Sequence, residues 1–367
     1  MMGSLMERVY GMVIQKATRQ GYRVVKGVVL AIMTLSLSGQ AMATTSTQKS
    51  LAEKGFAVAL KGQARHLPAR DQDIDVGFLD MVWHDDFSGT EQVTIELVNE
   101  QGRQPLNRKD IELASEDLYA LAGQEVAVYT NPRTGKVEAM VGISDLSPLI
   151  QQGGGGERAK DAVLQRRRIV DFPTRTPNEQ HRWKTIACKF QNTPFEPVSR
   201  SFLATQYGPV KGHIGHFWKE MSYGKISVTG SAHGWFELPR ARSYYFVNGR
   251  YDSAKVSEDC INVARDHVDF SNTYGINIAL NMDGGPAQGG RKCGIEGMPQ
   301  YCMPMTWLPP FGYKSLRVMM HEMGHAYTLP HSDNSDGDED TYDNVWDTMS
   351  GIHWARQHAR LGVFPST

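Results

Sequence analysis

The chain has 367 residues, 40% of them hydrophobic and 22% charged, with a formal net charge of -1. That length supplies a sizeable packed core, in one large domain or two ordinary ones. The charge balance gives no electrostatic argument for nucleic acid, and none is expected as a partner: the nearest thing to a basic run, Arg166-Arg167-Arg168, is what a solvated helix face provides.

The N-terminus reads as an export signal over residues 1–43. A short apolar stretch from Val28 to Leu35 follows Arg23 and Lys26, and Ala41-Met42-Ala43 offers a small-x-small cleavage site. The run is too short to span a bilayer, and no other segment approaches that length, so no stable membrane insertion is expected after signal removal. Secretion or a periplasmic location follows. The four cysteines agree, because an even count in an exported chain favours disulfides. Cys293 and Cys302 stand close together around Gly294, Gly297 and Pro299, which favours their pairing and leaves Cys188 with Cys260.

Residues 44–150 read as a small β-rich domain. Apolar runs at Phe56–Leu60, Val93–Val98 and Val126–Tyr129 are separated by turn-forming clusters, with Asn131-Pro132-Arg133-Thr134-Gly135 as a clear turn. Four glycines, Gly153 to Gly156, form a joint, and a linker with a short helix over 159–168 occupies 151–172. The second domain, 173–367, mixes both periodicities. Strands are expected at Thr185–Phe190, Ile226–Gly230, Gly234–Leu238 and Ile276–Met282. Helices are expected at Val210–Met221, beginning after Pro209, and at Ser253–His267, where Val256, Cys260, Val263 and Ala264 share a face.

The chemistry concentrates between Leu316 and Ser332. Leu316, Met319, Met320 and Met323 define the apolar stripe of a helix, and His321 and His325 lie one turn apart on one side of it. Glu322, about 100° further round, sits at the edge of that side, where it can reach a water without occupying the metal. Pro330 stops the helix and His331 follows as a third ligand. Three neutral nitrogens with an open fourth position are the donor set of a catalytic zinc.

His321-Glu322-x-x-His325 with His331 resembles the metzincin pattern H-E-x-x-H-x-x-G-x-x-H, and Asp347-Thr348-Met349-Ser350-Gly351 resembles the Met-turn of that clan, with Met349 beneath the zinc. The closest look is to the immune-inhibitor-A-like and gametolysin-like secreted peptidases, supported by Glu220–Lys225, Gly234–Pro239 and Thr341–Met349. The resemblance covers roughly residues 183 to 361 and implies an α+β fold: a metzincin-like catalytic domain, a mixed twisted sheet with a zinc-binding helix, behind the β-rich domain. It also implies an exported zinc metalloendopeptidase acting on protein or peptide. Zinc would activate a water and polarise the scissile carbonyl, and Glu322 would serve as general base. An extended substrate is expected to pair with the edge of the strand Ile276–Met282.

One family position departs from the pattern. Thr328 replaces the glycine at the turn towards the third ligand, and a β-branched residue at positive φ there costs about 1–3 kcal/mol. Two other readings stand beside the peptidase: a non-catalytic binding protein on a peptidase fold, and a zinc hydrolase of cell-wall peptides. The acidic residues Asp333, Asp336, Asp338, Glu339, Asp340 and Asp343 read as a solvated loop, with calcium as the second reading. Residues 44–187 contain no cysteine, so a thiolate from that side cannot hold the zinc latent.

Overall fold

The computed structural model describes residues 74–85, 92–114, 118–144, 179–283 and 285–332, together with 342, 344 and 347–350. The expected signal, the strand at 56–60, the glycine joint with its helix and the acidic residues between 333 and 343 lie outside the described residues.

The N-terminal half contributes β1 (Ile74–Asp85), β2 (Gln92–Asn99), β3 (Gly102–Pro105), α1 (Arg108–Ala114), β4 (Glu125–Thr130) and β5 (Val137–Gly142). The turn between β4 and β5 is the expected one. Asn131 Oδ1 accepts from the Arg133 amide at 2.8 Å, and Gly135 supplies the positive φ of +68°. The second half runs β6 (Glu179–Lys189), α2 (Arg200–Thr205), α3 (Ile214–Met221), β7 (Ile226–Glu237), α4 (Arg242–Tyr245), β8 (Phe246–Val247), β9 (Arg250–Tyr251), α5 (Ser253–Ala264), β10 (Gly275–Leu280), β11 (Ala287–Cys293), β12 (Cys302–Leu308), α6 (Pro310–Lys314) and α7 (Leu316–Ala326). The class is α+β, built on a strand-rich mixed sheet.

Ten strands share that sheet in the order β3-β2-β1-β11-β12-β10-β6-β7, with β4 pairing β1 and β5. β12, β10, β6 and β7 run parallel, whereas β11 is antiparallel to both β12 and β1. Strands on either side of the expected 151–172 linker therefore belong to one sheet. Parallel strands buried on both faces read as continuous apolar runs, and β10 is buried at every position. Ile276, Ile278 and Leu280 pack with Val256, Cys260, Ile261 and Ala264 of α5. On the other face Trp183 and Ala279 meet Phe217 and Trp218 of α3 and Met319, Met320 and Met323 of α7. Each large side chain so buried contributes about 1.5–3 kcal/mol. A third cluster, including Leu79, Met81, Trp83, Ile95, Leu97, Val126 and Val128, fixes the N-terminal strands.

Both expected disulfides are present. Cys188–Cys260 ties β6 to α5, and Cys293–Cys302 joins directly opposed residues of β11 and β12. Three expectations need correction. β10 lies between β12 and β6, so it has no edge to offer a substrate. The helix expected from Val210 begins at Ile214, because Gly212 takes a φ of +89° and residues 210–213 turn, with the His213 amide bonded to the Val210 carbonyl. The two pieces expected at 226–230 and 234–238 are one long strand, β7.

Candidate metal centre

Every residue of α7 from Val318 to Ala326 is buried, so the helix is held by packing on its apolar stripe and on β11. Ser315 caps its start by accepting from the Val318 amide. Its end is a Schellman arrangement: the Leu329 amide bonds to the Gly324 carbonyl at 3.0 Å and the Thr328 amide to the His325 carbonyl at 2.8 Å. The residue that this geometry puts in the left-handed region is Thr328, at φ +71°. The strain expected at that position is thus real in the fold. Relief of the β-branched clash, less the extra unfolded-state entropy of glycine, gives an expected net gain of about 1 kcal/mol for Thr328→Gly. Thermal unfolding of the two chains side by side checks this, with a higher midpoint for the variant.

That turn returns His331 to the two histidines of α7. The His325 Nε2 atom lies 3.1 Å from both His321 Nε2 and His331 Nε2. The opposite nitrogens fix the tautomers. His321 Nδ1 is 2.6 Å from the Thr348 carbonyl and His325 Nδ1 is 2.8 Å from the Leu329 carbonyl. A carbonyl only accepts, so each Nδ1 carries the proton and each Nε2 presents a bare lone pair. Two lone pairs at 3.1 Å cannot bond to each other; they point at a shared cation. A tetrahedral ion with Zn–N bonds of about 2.0–2.1 Å spaces its donors about 3.4 Å apart, close to what is seen.

A fourth donor joins them from the other half of the chain. Asp85, the last residue of β1, places Oδ1 2.7 Å from His331 Nε2 and Oδ2 3.3 Å and 3.5 Å from the Nε2 atoms of His325 and His321. The four ligand atoms all lie within 4.8 Å of one another, a buried group that can hold a metal ion. Asp85 Oδ1 also accepts from the Tyr342 hydroxyl at 2.7 Å, while Oδ2 meets no hydrogen-bond donor. Burial alone pushes the Asp85 carboxyl up; positive charge at the His325 and His321 nitrogens that face it outweighs this and holds it well below the ordinary carboxylate range, and a bound cation would supply charge at the same place. Burial likewise pushes His325 down to about 4, so its imidazole is neutral at pH 7. Neutral imidazoles and an ionised carboxylate are the protonation states that metal binding needs.

Glu322 lies beside this group, fully buried, and neither of its carboxyl oxygens meets a hydrogen-bond donor. Burial and the neighbouring Asp85 charge push its pKa well above the ordinary range. An unsatisfied buried carboxylate is costly, and a cation at the adjoining donors is what would offset that cost. Position is enforced from both sides. Gly289 of β11 lets the strand press against the Glu322 backbone, where any Cβ would collide with its carbonyl. Gly324 makes room for the Met349 sulfur in the same way, and the Met349 carbonyl accepts from the Ser332 amide at 3.0 Å, which fixes the chain just after His331. Trp83 stacks on the His325 ring at 4.8 Å between centroids.

The structure therefore brings together His321, Glu322, His325 and His331, with Met349 packed behind them. It adds Asp85, which carries no sequence signal, since it stands 246 residues before His331 at the end of an unrecognised strand. The acidic residues considered for calcium lie outside the described residues. No protein-family model matches the chain, and no curated protein matches it either.

Proposed function

We propose that the chain is an exported zinc-dependent endopeptidase, with His321, His325 and His331 holding the metal and Glu322 acting as general base. The observation that carries this reading is the buried Glu322 carboxyl, without a hydrogen-bond donor, beside converging imidazole lone pairs. A site that only held an ion would already be complete with its four donors and would have no task for a further buried carboxyl. Bound zinc supplies a lowered water pKa and a polarised carbonyl. Glu322 takes the proton of the attacking water and returns it to the leaving amine. Thr348 and Leu329 orient the imidazoles through their carbonyls, and Trp83 and Met349 keep bulk solvent from the ligand set. The two disulfides support an oxidising compartment, and among the described residues no helix is long and apolar enough to cross a membrane. The metzincin resemblance of the motif favours protein or peptide over a cell-wall amide as substrate.

One observation favours a second reading, the non-catalytic protein. Four protein donors, Asp85 with three histidines, make a closed set of the kind that structural zinc sites use. Incubation with casein and with peptidoglycan, with and without chelator, separates these readings. It is run on the full-length chain and on Asp85→Asn, which removes the fourth donor's charge. Chelator-sensitive cleavage of casein by either is expected. Zinc-loaded protein of both kinds that cleaves neither substrate would leave the structural ion as the correct account.

A further inference from the structure

Asp85 reaches the ligand set from a different part of the fold than the histidines do. The three histidines belong to α7 and the turn that follows it, whereas Asp85 arrives on the end of a strand added to the outside of β11. β1 pairs antiparallel with β11 from Met81 opposite Arg291 to Asp85 opposite Ala287, along the side of β11 that β12 leaves free. β11 is also the strand that presses on the backbone of Glu322. β1 thus covers the sheet edge nearest to the general base and ends with a carboxylate on the ligand set.

The strand is anchored there by charge as well as by pairing. Asp80 is fully buried and binds Arg103 Nη1 at 2.7 Å, Lys292 Nζ at 3.2 Å and the Cys293 amide at 3.2 Å, linking β1 to β3 and β11. Glu96 of β2 stands 3.4 Å from the same Arg103 and 3.6 Å from Lys292. Gly290 allows β11 to approach β1 so closely that any Cβ would collide with the Met81 carbonyl. A buried, hydrogen-bonded ion cluster sets register strongly, because breaking it strands charge in the interior. That register determines where Asp85 falls.

Resting on the peptidase reading above, we propose that Asp85 is a displaceable fourth ligand: β1 holds its carboxylate in the coordination position that the attacking water needs, and the folded chain is latent until that carboxylate leaves. The latency is carried by an oxygen donor within the N-terminal region, and it needs no cysteine. Tyr342 assists by donating to the same carboxylate.

Cobalt-substituted full-length protein tests this without relying on turnover. Acetohydroxamate, a small chelating ligand, shifts the visible cobalt spectrum when a coordination position opens to it. The parent chain is expected to bind one cobalt and to leave its spectrum unchanged over a hydroxamate range that shifts Asp85→Asn and Asp85→Ala, with affinity at least 10-fold higher in both variants. Tyr342→Phe, which keeps every donor, is expected to shift to a smaller extent and keeps the test decisive if the Asp85 variants fold poorly. Casein cleavage is expected to rise at least 10-fold in the Asp85 variants. A parent spectrum that shifts as readily as the variants' overturns the proposal while leaving the metal reading intact. Cobalt-loaded variants that stay blind to hydroxamate overturn it in favour of a fixed, closed ion. Failure of every chain to take up cobalt removes the metal reading itself.

Discussion

Replacing His325 with Ala is expected to strip the metal from the protein at concentrations that saturate the parent chain. His325 is the central donor, 3.1 Å from each of the other two imidazole nitrogens, and its tautomer is set by the Leu329 carbonyl. Zinc sites in small domains bind with a free energy on the order of 10 kcal/mol, so one of four donors corresponds to roughly 3 kcal/mol, or about 10²-fold in affinity. The donors that remain are His321, His331 and Asp85. The variant also removes the ring that stacks on Trp83, so its folding is checked by unfolding in chelator, where neither chain carries metal. Metal content by mass spectrometry after equilibrium dialysis is the measurement. Retention of one zinc per chain with parent affinity would mean that the ion sits elsewhere.

The cluster of three histidines that could hold a metal was legible in the sequence for a geometric reason. His321, Glu322 and His325 occupy one helix, so their relative directions follow from its period; Pro330 reads as the helix stop, but the helix ends at Ala326 and the chain turns at Thr328, before the proline. The strain at Thr328 was legible on the same grounds, and the φ of +71° bears it out. Strands such as β2, β4 and β10 showed through because their apolar residues dominate locally.

What the sequence concealed has one physical cause: its determinants are far apart along the chain. β1 contains Asp75, Asp80, His84 and Asp85, which break any apolar alternation. It is a strand because the charge of Asp80 is met by Arg103 and Lys292, and that compensation is invisible from β1 alone. β11 reads Ala-Gln-Gly-Gly-Arg-Lys-Cys, the composition of a loop, yet Gly289 and Gly290 are what allow it to touch α7 and β1. Pro304 argues against a central strand, although β12 lies between β11 and β10. With β1 and β11 hidden, the free edge of the sheet was misplaced onto β10 and the fourth donor was missed.

The central claim is that Glu322 serves the reaction and not the metal, and Glu322→Gln tests it most directly. Glutamine keeps the size and burial of the side chain but cannot take a proton from water. The one neutral amide it introduces takes away none of the four candidate donor atoms, so metal retention is not threatened. The substitution is made in the full-length chain and in the Asp85→Asn chain, with zinc content and cleavage of a quenched peptide library measured on the same samples. The account predicts zinc near one per chain and cleavage lower by roughly 10²–10⁴-fold than in the matching parent. Full zinc with undiminished cleavage would contradict it and assign the base to another residue.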